Sequence, residues 1–214
     1  MKDLLSIKVI NLEHRTDRKE ECQKEFESIG LGVEDYSFFP AKYLPDLGAR
    51  GCALSHARAL SDFLFHDEKP FVLIFEDDFA IREKSTFVAS LQDILKHGFF
   101  WDVFLTAHND CVPISGTQLK NTYRVIHART ASGYIVGRLY AARLIESFFR
   151  SGELLKRVEN LPSPNKELAR SAFSCDILWK ELQTRDRFWT QQPSLTFQRP
   201  SYSDIEKKMV EYGA

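Results

Sequence analysis

Three consecutive acids, Glu76, Asp77 and Asp78, stand directly behind five apolar residues, Phe71 to Phe75 (FVLIF). Carboxylates grouped in this way are hard oxygen donors suited to Mg2+ or Mn2+, and an ion held by them can bridge to diphosphate oxygens and neutralise a leaving group. Alternation along extended backbone puts Glu76 and Asp78 on one side and sends Asp77 elsewhere. Acids after a strand can also cap the next helix or face solvent. The unbroken apolar run favours the ligand reading: a strand covered on both faces belongs inside a parallel sheet, and open α/β sheets bind ligands at the carboxyl ends of such strands.

Two further groups carry polar chemistry. In INLEHRTDR the first strand ends at Asn11 and Leu12, and Arg15 and Arg18 follow. The strand-end backbone can contact a nucleobase, and either arginine can reach phosphate through charge-assisted hydrogen bonds; a solvated basic helix start is the competing reading. In ARGCALSHARAL, Gly48 and Gly51 leave the backbone free to bend before a helix carrying Ser55 and His56. Adjacent helix residues do not face each other, which argues against a Ser–His hydrolase pair and leaves either residue as a hydrogen-bonding group near a ligand.

The elements that must position these residues follow from hydrophobic spacing. Leu4 to Leu12 reads as a strand, and Asp17 to Ile29 as a helix with Cys22, Phe26 and Ile29 on one face, closed by Gly30 and Gly32. A short strand is expected over Val33 to Phe38, a helix over Leu54 to Phe65, the central strand over Phe71 to Phe75 and a helix over Thr86 to His97. Strands at Val103 to Thr106 and Ser132 to Val136 precede a helix at Tyr140 to Phe149. Ser151 to Asn165, with Gly152, Pro162 and Pro164, reads as an exposed connection, Asp176 to Leu182 as a short helix, and the remainder as strand and loop. Alternating strands and helices predict an α/β sandwich with a mainly parallel sheet flanked by helices.

Composition sets outer limits. A chain of 214 residues with 43% hydrophobic content can bury one core, and a single domain over 1–214 suffices. The 29 basic residues nearly balance the 30 acidic ones, so overall charge does not call for a nucleic-acid partner and any anionic ligand must be held locally. Cys22, Cys52, Cys111 and Cys175 form no CxxC pair and read as reduced thiols, mostly in the core. The N-terminus lacks the apolar core of a signal peptide, and no segment approaches the ~18–20 apolar residues that span a bilayer. A cytoplasmic protein is expected, with peripheral membrane contact left open.

Taken in order, VINLEHRTDR, GCALSH, LIFEDD, SGYIVGRLYAARLI and PSLTFQRPSYSDI resemble glycosyltransferase family 25, from about Lys8 to Ile205. That family holds bacterial lipooligosaccharide galactosyltransferases and relatives of collagen galactosyltransferases. The resemblance implies a GT-A fold, a UDP-sugar donor, a Mn2+-type cation, a glycan acceptor on lipid or protein, and inversion at the anomeric carbon. Glu76, Asp77 and Asp78 occupy the family's Asp-x-Asp-like motif, with glutamate in first place. By that carry-over Asp78 is the preferred metal ligand, Glu76 or Asp77 touches ribose or metal, and Asn11, Leu12, Arg15, Ala41 and Ser55 surround the nucleotide. The region between the acids and the SDI-like ending is shorter than is usual in the family, so acceptor-binding parts are expected to differ. Because Ala214 follows soon after Ile205, the chain could be the catalytic domain of a longer protein.

Inverting transfer needs a general base. Asp176, at a helix start where the dipole would also favour it, is the first candidate. Asp110 in TAHND is the second, with His108 beside it as a metal or acceptor ligand. A retaining enzyme would need no dedicated base. The competing functions are a metal-dependent phosphotransferase or nucleotide hydrolase, although the chain has no GxxxxGK[ST] loop, and a non-catalytic nucleotide-sugar-binding module.

Overall fold

The computed structural model describes residues 1–117, 119–158 and 161–211. The apolar run after Leu4 forms β1 (Leu5–Asn11), and the charged segment behind it winds into α1 (Thr16–Glu27), which buries Cys22 and Phe26. The next strand, β2 (Ser37–Pro40), lies four residues beyond its expected start, because Gly32 to Tyr36 is spent on a turn in which Asp35 accepts from the Gly32 amide.

The second helix, α2 (Gly48–His66), begins six residues before the expected Leu54. Its glycines permit close approach rather than a bend: a Cβ on Gly51 would stand 2.4 Å from the Lys42 carbonyl oxygen. There follow β3 (Phe71–Glu76), a short β4 (Phe79–Ile81), α3 (Lys84–Lys96) and β5 (Val103–Leu105). Glu83 caps α3 by accepting from the Ser85 amide.

The hairpin β6 (Asn109–Gly116) and β7 (Thr122–Arg129) has no counterpart in the sequence reading. Strand β6 is a sheet edge, mostly exposed, with Pro113 inside it and register shifts against β7, so it lacks the apolar alternation that marks a half-buried strand. After β8 (Gly133–Gly137), helix α4 (Arg138–Arg157) runs well past Phe149 and absorbs Gly152. A Cβ there would stand 3.0 Å from Leu54 of α2, so this glycine lets two helices pack closely. The expected connection therefore shrinks to the stretch before α5 (Ser163–Phe173), and its Glu159 and Asn160 lie outside the described residues. The segment expected as one helix from Asp176 is divided into α6 (Cys175–Leu178) and α7 (Lys180–Arg185), and the chain ends through β9 (Phe188–Gln191), β10 (Thr196–Gln198), β11 (Ser201–Ser203) and β12 (Lys208–Val210).

Eight strands form one sheet in the order β2-β1-β3-β8-β5-β9-β7-β6. Only β8 and β7 run against the others, so the sheet is mainly parallel in direction. Helices cover both faces. Val72 and Ile74 of β3 point to a core shared with Ala57, Leu60 and Phe63 of α2 and Phe148 of α4. Leu73 and Phe75 point to the opposite core, with Phe26 of α1 and Phe87 and Leu91 of α3. Each large side chain so buried contributes ~1.5–3 kcal/mol, and β3, covered on both faces, is a firmly anchored platform for a site. Separately, β10 pairs antiparallel with β4, setting Gln198 opposite Phe79 just beyond the acidic triplet.

Candidate functional site

The carboxyl ends of β1 and β3 are fixed in register, Ile10 opposite Glu76, and the Glu76 amide donates to the Ser132 carbonyl before β8. A cleft of about 510 Å³ opens over this edge. All three acids line it, and Asp77 and Asp78 are buried.

The acids divide into two environments. Glu76 and Asp78 converge on one amide: Gln198 Nε2 lies 3.5 Å from Glu76 Oε2 and 3.5 Å from Asp78 Oδ1. Asp77 turns aside, accepting from Arg18 Nη1 at 2.6 Å and from Asn11 Nδ2 at 2.8 Å. Burial, then the neighbouring Glu76 charge, pushes the Asp78 carboxyl up to about 7, and burial also raises Asp77. Burial presses Glu76 upward most strongly, but the hydrogen bond and charge of His56, the Cys52 thiol and the Arg18 charge together hold it below the usual carboxylate range.

These carboxylates fit a divalent cation. A single arginine reaches both Asp77 and Asp78, and the point between Glu76 and Asp78 is already taken by a hydrogen-bond donor, the Gln198 amide. Two hard oxygens facing one point are the donor type that suits Mg2+ or Mn2+, with Arg18 Nη1, 3.4 Å from Asp78 Oδ2, as a positive charge beside that point.

Of the residues expected near a nucleotide, Leu12, Arg18, Ala41 and Ser55 line the cleft. Asn11 and Arg15 stand outside its lining among the described residues. Asn11 works from behind, gripping Asp77 and the Arg15 carbonyl. The reach of Arg15 to phosphate meets an obstacle, because its guanidinium is spent on Asp17, Asp204 and the Tyr202 carbonyl. Arg18 is likewise committed, to Asp77, Ser201 and the Tyr202 carbonyl. Ser55 accepts from the Lys42 amide and donates to the Gly51 carbonyl, which ties the cleft wall to α2 rather than presenting a free hydroxyl. His56 faces Glu76 from the same helix.

Both acids considered as bases line the cleft, and both lie close enough to Lys180 to act on its charge. Asp176, at the start of α6, lines the cleft, and burial raises its carboxyl above the usual range. Asp110 also lines the cleft, but on the exposed hairpin, paired with Arg129 at 3.3 Å. His108 lies outside the lining, its Nε2 turned 3.4 Å from the Gln191 carbonyl, so it does not join Asp110 at the site.

Thr130 and Gln198 carry functions that sequence reasoning missed. Thr130 has φ of 72°, a left-handed conformation that costs a β-branched residue on the order of 1–3 kcal/mol. From there its amide donates to Asp176 Oδ2 at 3.2 Å and its hydroxyl to Gln198 Oε1 at 2.7 Å. One residue thus orients both the amide between the acids and the flanking carboxyl. The QRP of PSLTFQRP is the available signal for Gln198; nothing in the sequence marks Thr130.

No family model matches the chain, and no curated protein sequence matches it. Similar solved structures include mannose-1-phosphate geranyltransferase from Thermus thermophilus, at 11% identity over 96% of this chain and 76% of that one, TM-score 0.49. Another is a glycosyltransferase involved in glycosylation of the major capsid of PBCV-1, at 10% identity over 95% and 96%, TM-score 0.46. A third is UDP-glucose pyrophosphorylase complexed with UDP-glucose, at 10% identity over 87% and 72%, TM-score 0.46. At such identity and overlap these likenesses assign no activity to the chain.

Proposed function

We propose that the chain is a glycosyltransferase that moves a hexose from a UDP-sugar to a carbohydrate hydroxyl, with inversion and with Mn2+ or Mg2+ as the cation. The observation that carries this reading is the convergence of Glu76 and Asp78 on one point at the carboxyl end of β3, inside a cleft of about 510 Å³. That volume suits a small ligand, for which pockets run ~300–1,000 Å³. The motif resemblance to glycosyltransferase family 25 supports the same reading.

Asp78 and Glu76 would hold the cation. When bound it would neutralise charge developing on the departing diphosphate. The chain's own residues do the rest. Arg18 and Asn11 clamp Asp77, so the turn after β3 keeps its shape when a ligand enters. Leu12 and Ala41 offer a strand-end surface for the nucleobase, joined by the Ala41 amide donating to the Asn11 carbonyl. Asp176, oriented by Thr130, is positioned to take the acceptor's hydroxyl proton. Its raised affinity for a proton suits a general base.

The acceptor in this reading is a glycan on lipid or protein. The four free thiols agree with a reducing, cytoplasmic setting. Among the described residues no helix is long and apolar enough to cross a membrane.

The test is release of UDP from a panel of UDP-sugars with Mn2+, with and without glycan acceptors, comparing wild type with Asp78→Ala. Turnover in wild type and its loss, together with loss of cation-dependent UDP binding, in folded Asp78→Ala is expected. Full activity in that variant removes the proposal. UDP binding without turnover would identify a binding module, and cleavage of simple phosphoesters a phosphotransferase.

A further inference from the structure

Glu76 presents its two oxygens to different surroundings. Oε2 lies toward Gln198 and Asp78, whereas Oε1 faces α2, with His56 Nε2 at 3.1 Å and Cys52 Sγ at 3.3 Å. Cys52 and His56 are four residues apart, so the helix turns both onto one face. One donor atom from each of Cys52, His56 and Glu76 lies within 4.8 Å of the other two. All three residues line the cleft, which gives an ion a way in.

The surroundings of His56 suit ligation. The ring is fully buried, and its Nδ1 meets the Tyr134 hydroxyl at 3.1 Å. A tyrosine hydroxyl both donates and accepts. It can therefore hold the ring with its proton on Nδ1, which leaves the Nε2 lone pair directed toward Glu76 and Cys52. Metal-binding histidines are characteristically fixed in this way through their second nitrogen.

We propose that Cys52, His56 and Glu76 Oε1 form a second cation site, for a thiophilic divalent ion of the zinc class, beside the hard-ion position between Glu76 Oε2 and Asp78. Thiolate, imidazole and carboxylate together favour Zn2+ over Mg2+ and Mn2+. On binding, the Cys52 S–H bond breaks, its proton passes to solvent, and the sulfur donates its electron pair to the ion. The His56 ring exchanges its Nε2 proton for one on Nδ1 and stays neutral. Thiolate and carboxylate then balance the two charges of the ion, and the fourth position is left to water or ligand. Cys175 Sγ, 3.9 Å from Cys52 Sγ, adds a second soft atom beside the site. Because Glu76 belongs to both positions, zinc would oppose the hard ion, a consequence that rests on the reading of the donor site; the zinc site itself does not.

The test titrates the full chain with Co2+, a spectroscopic substitute for zinc. One equivalent should give a sulfur-to-cobalt charge-transfer band with tetrahedral ligand-field bands, and Zn2+ should bleach both. The charge-transfer band should disappear in Cys52→Ser and persist in Asp78→Asn. Zn2+ should also raise the melting temperature of wild type and leave that of Cys52→Ser unchanged, a readout that needs no spectrum. Absence of the charge-transfer band in wild type, or its persistence in Cys52→Ser, overturns the site. No sugar transfer is measured, so failure of the donor-site reading leaves this result intact.

Discussion

Arg18 and Asp77 form a buried ion pair, Nη1 to Oδ1 at 2.6 Å, and the same nitrogen reaches Asp78 Oδ2 at 3.4 Å. The pair joins α1 to the turn after β3 and fixes the acidic triplet from below. Removing one partner of such a pair is costly because the other charge stays buried without compensation. Arg18→Met should lower unfolding free energy by ~3–5 kcal/mol in urea titrations. Adding Asp77→Asn should restore much of that loss. A single variant as stable as wild type would show that the pair does not hold this turn.

Asp78 should show the opposite balance between stability and activity. It is a buried carboxylate beside Glu76 and Asp77, sharing one arginine with Asp77 and, among the described residues, otherwise meeting only the Gln198 amide at 3.5 Å. Asp78→Asn removes one like charge and preserves the shape. Its melting temperature without added metal is expected to equal or exceed that of wild type, while UDP-sugar turnover falls at least ~100-fold, the scale for losing one preorganised electrostatic contact. A marked drop in melting temperature would mean that this carboxylate serves the fold.

Asp176 sets an expectation for pH. Burial raises its carboxyl above the ordinary 3.8, opposed by the Thr130 amide. Because the folded value exceeds the unfolded one, its stabilising contribution is present below about 3.8 and is lost as pH rises through the folded value. As a base it works only when ionised, so the acid limb of kcat/KM should lie above the ordinary carboxylate range. Asp176→Asn should abolish that limb along with most of the rate. A variant that keeps the wild-type limb would assign it to another group.

Gln183 of α7 pairs with the backbone of β7 on both sides: Oε1 accepts from the Ala128 amide at 2.7 Å and Nε2 donates to its carbonyl at 3.0 Å. The side chain is fully buried and acts as a short piece of sheet edge two residues before Thr130. Gln183→Leu leaves two backbone groups unsatisfied at ~1–3 kcal/mol each, and urea titration measures the loss. Hydrogen exchange at Ala128 should quicken in parallel.

Much of the scaffold is legible in local pattern. The run FVLIF and the aliphatics of β1 announce buried strands because covering both faces leaves no room for polar residues, and α1 and α3 follow from helical spacing. Glycine misled at Gly51 and Gly152, which read as breaks in an isolated segment. In the fold each lies inside a helix where a Cβ would crowd Lys42 or Leu54, a constraint set by tertiary packing that no local pattern shows. The β6–β7 hairpin was illegible for a related reason: an exposed edge strand has no apolar face to betray it.

The candidate site divides along the same line. The sequence by itself determined that Glu76, Asp77 and Asp78 follow the central strand, since burial pattern and residue type are local properties. It did not determine what each acid faces. Asp77 meets Arg18 and Asn11, Glu76 meets Cys52 and His56, and Asp78 shares Gln198 with Glu76 across 120 residues of chain. Only the tertiary structure decided those partners, because hydrogen bonds and charge pairs act over a few ångströms of space whatever the distance along the chain.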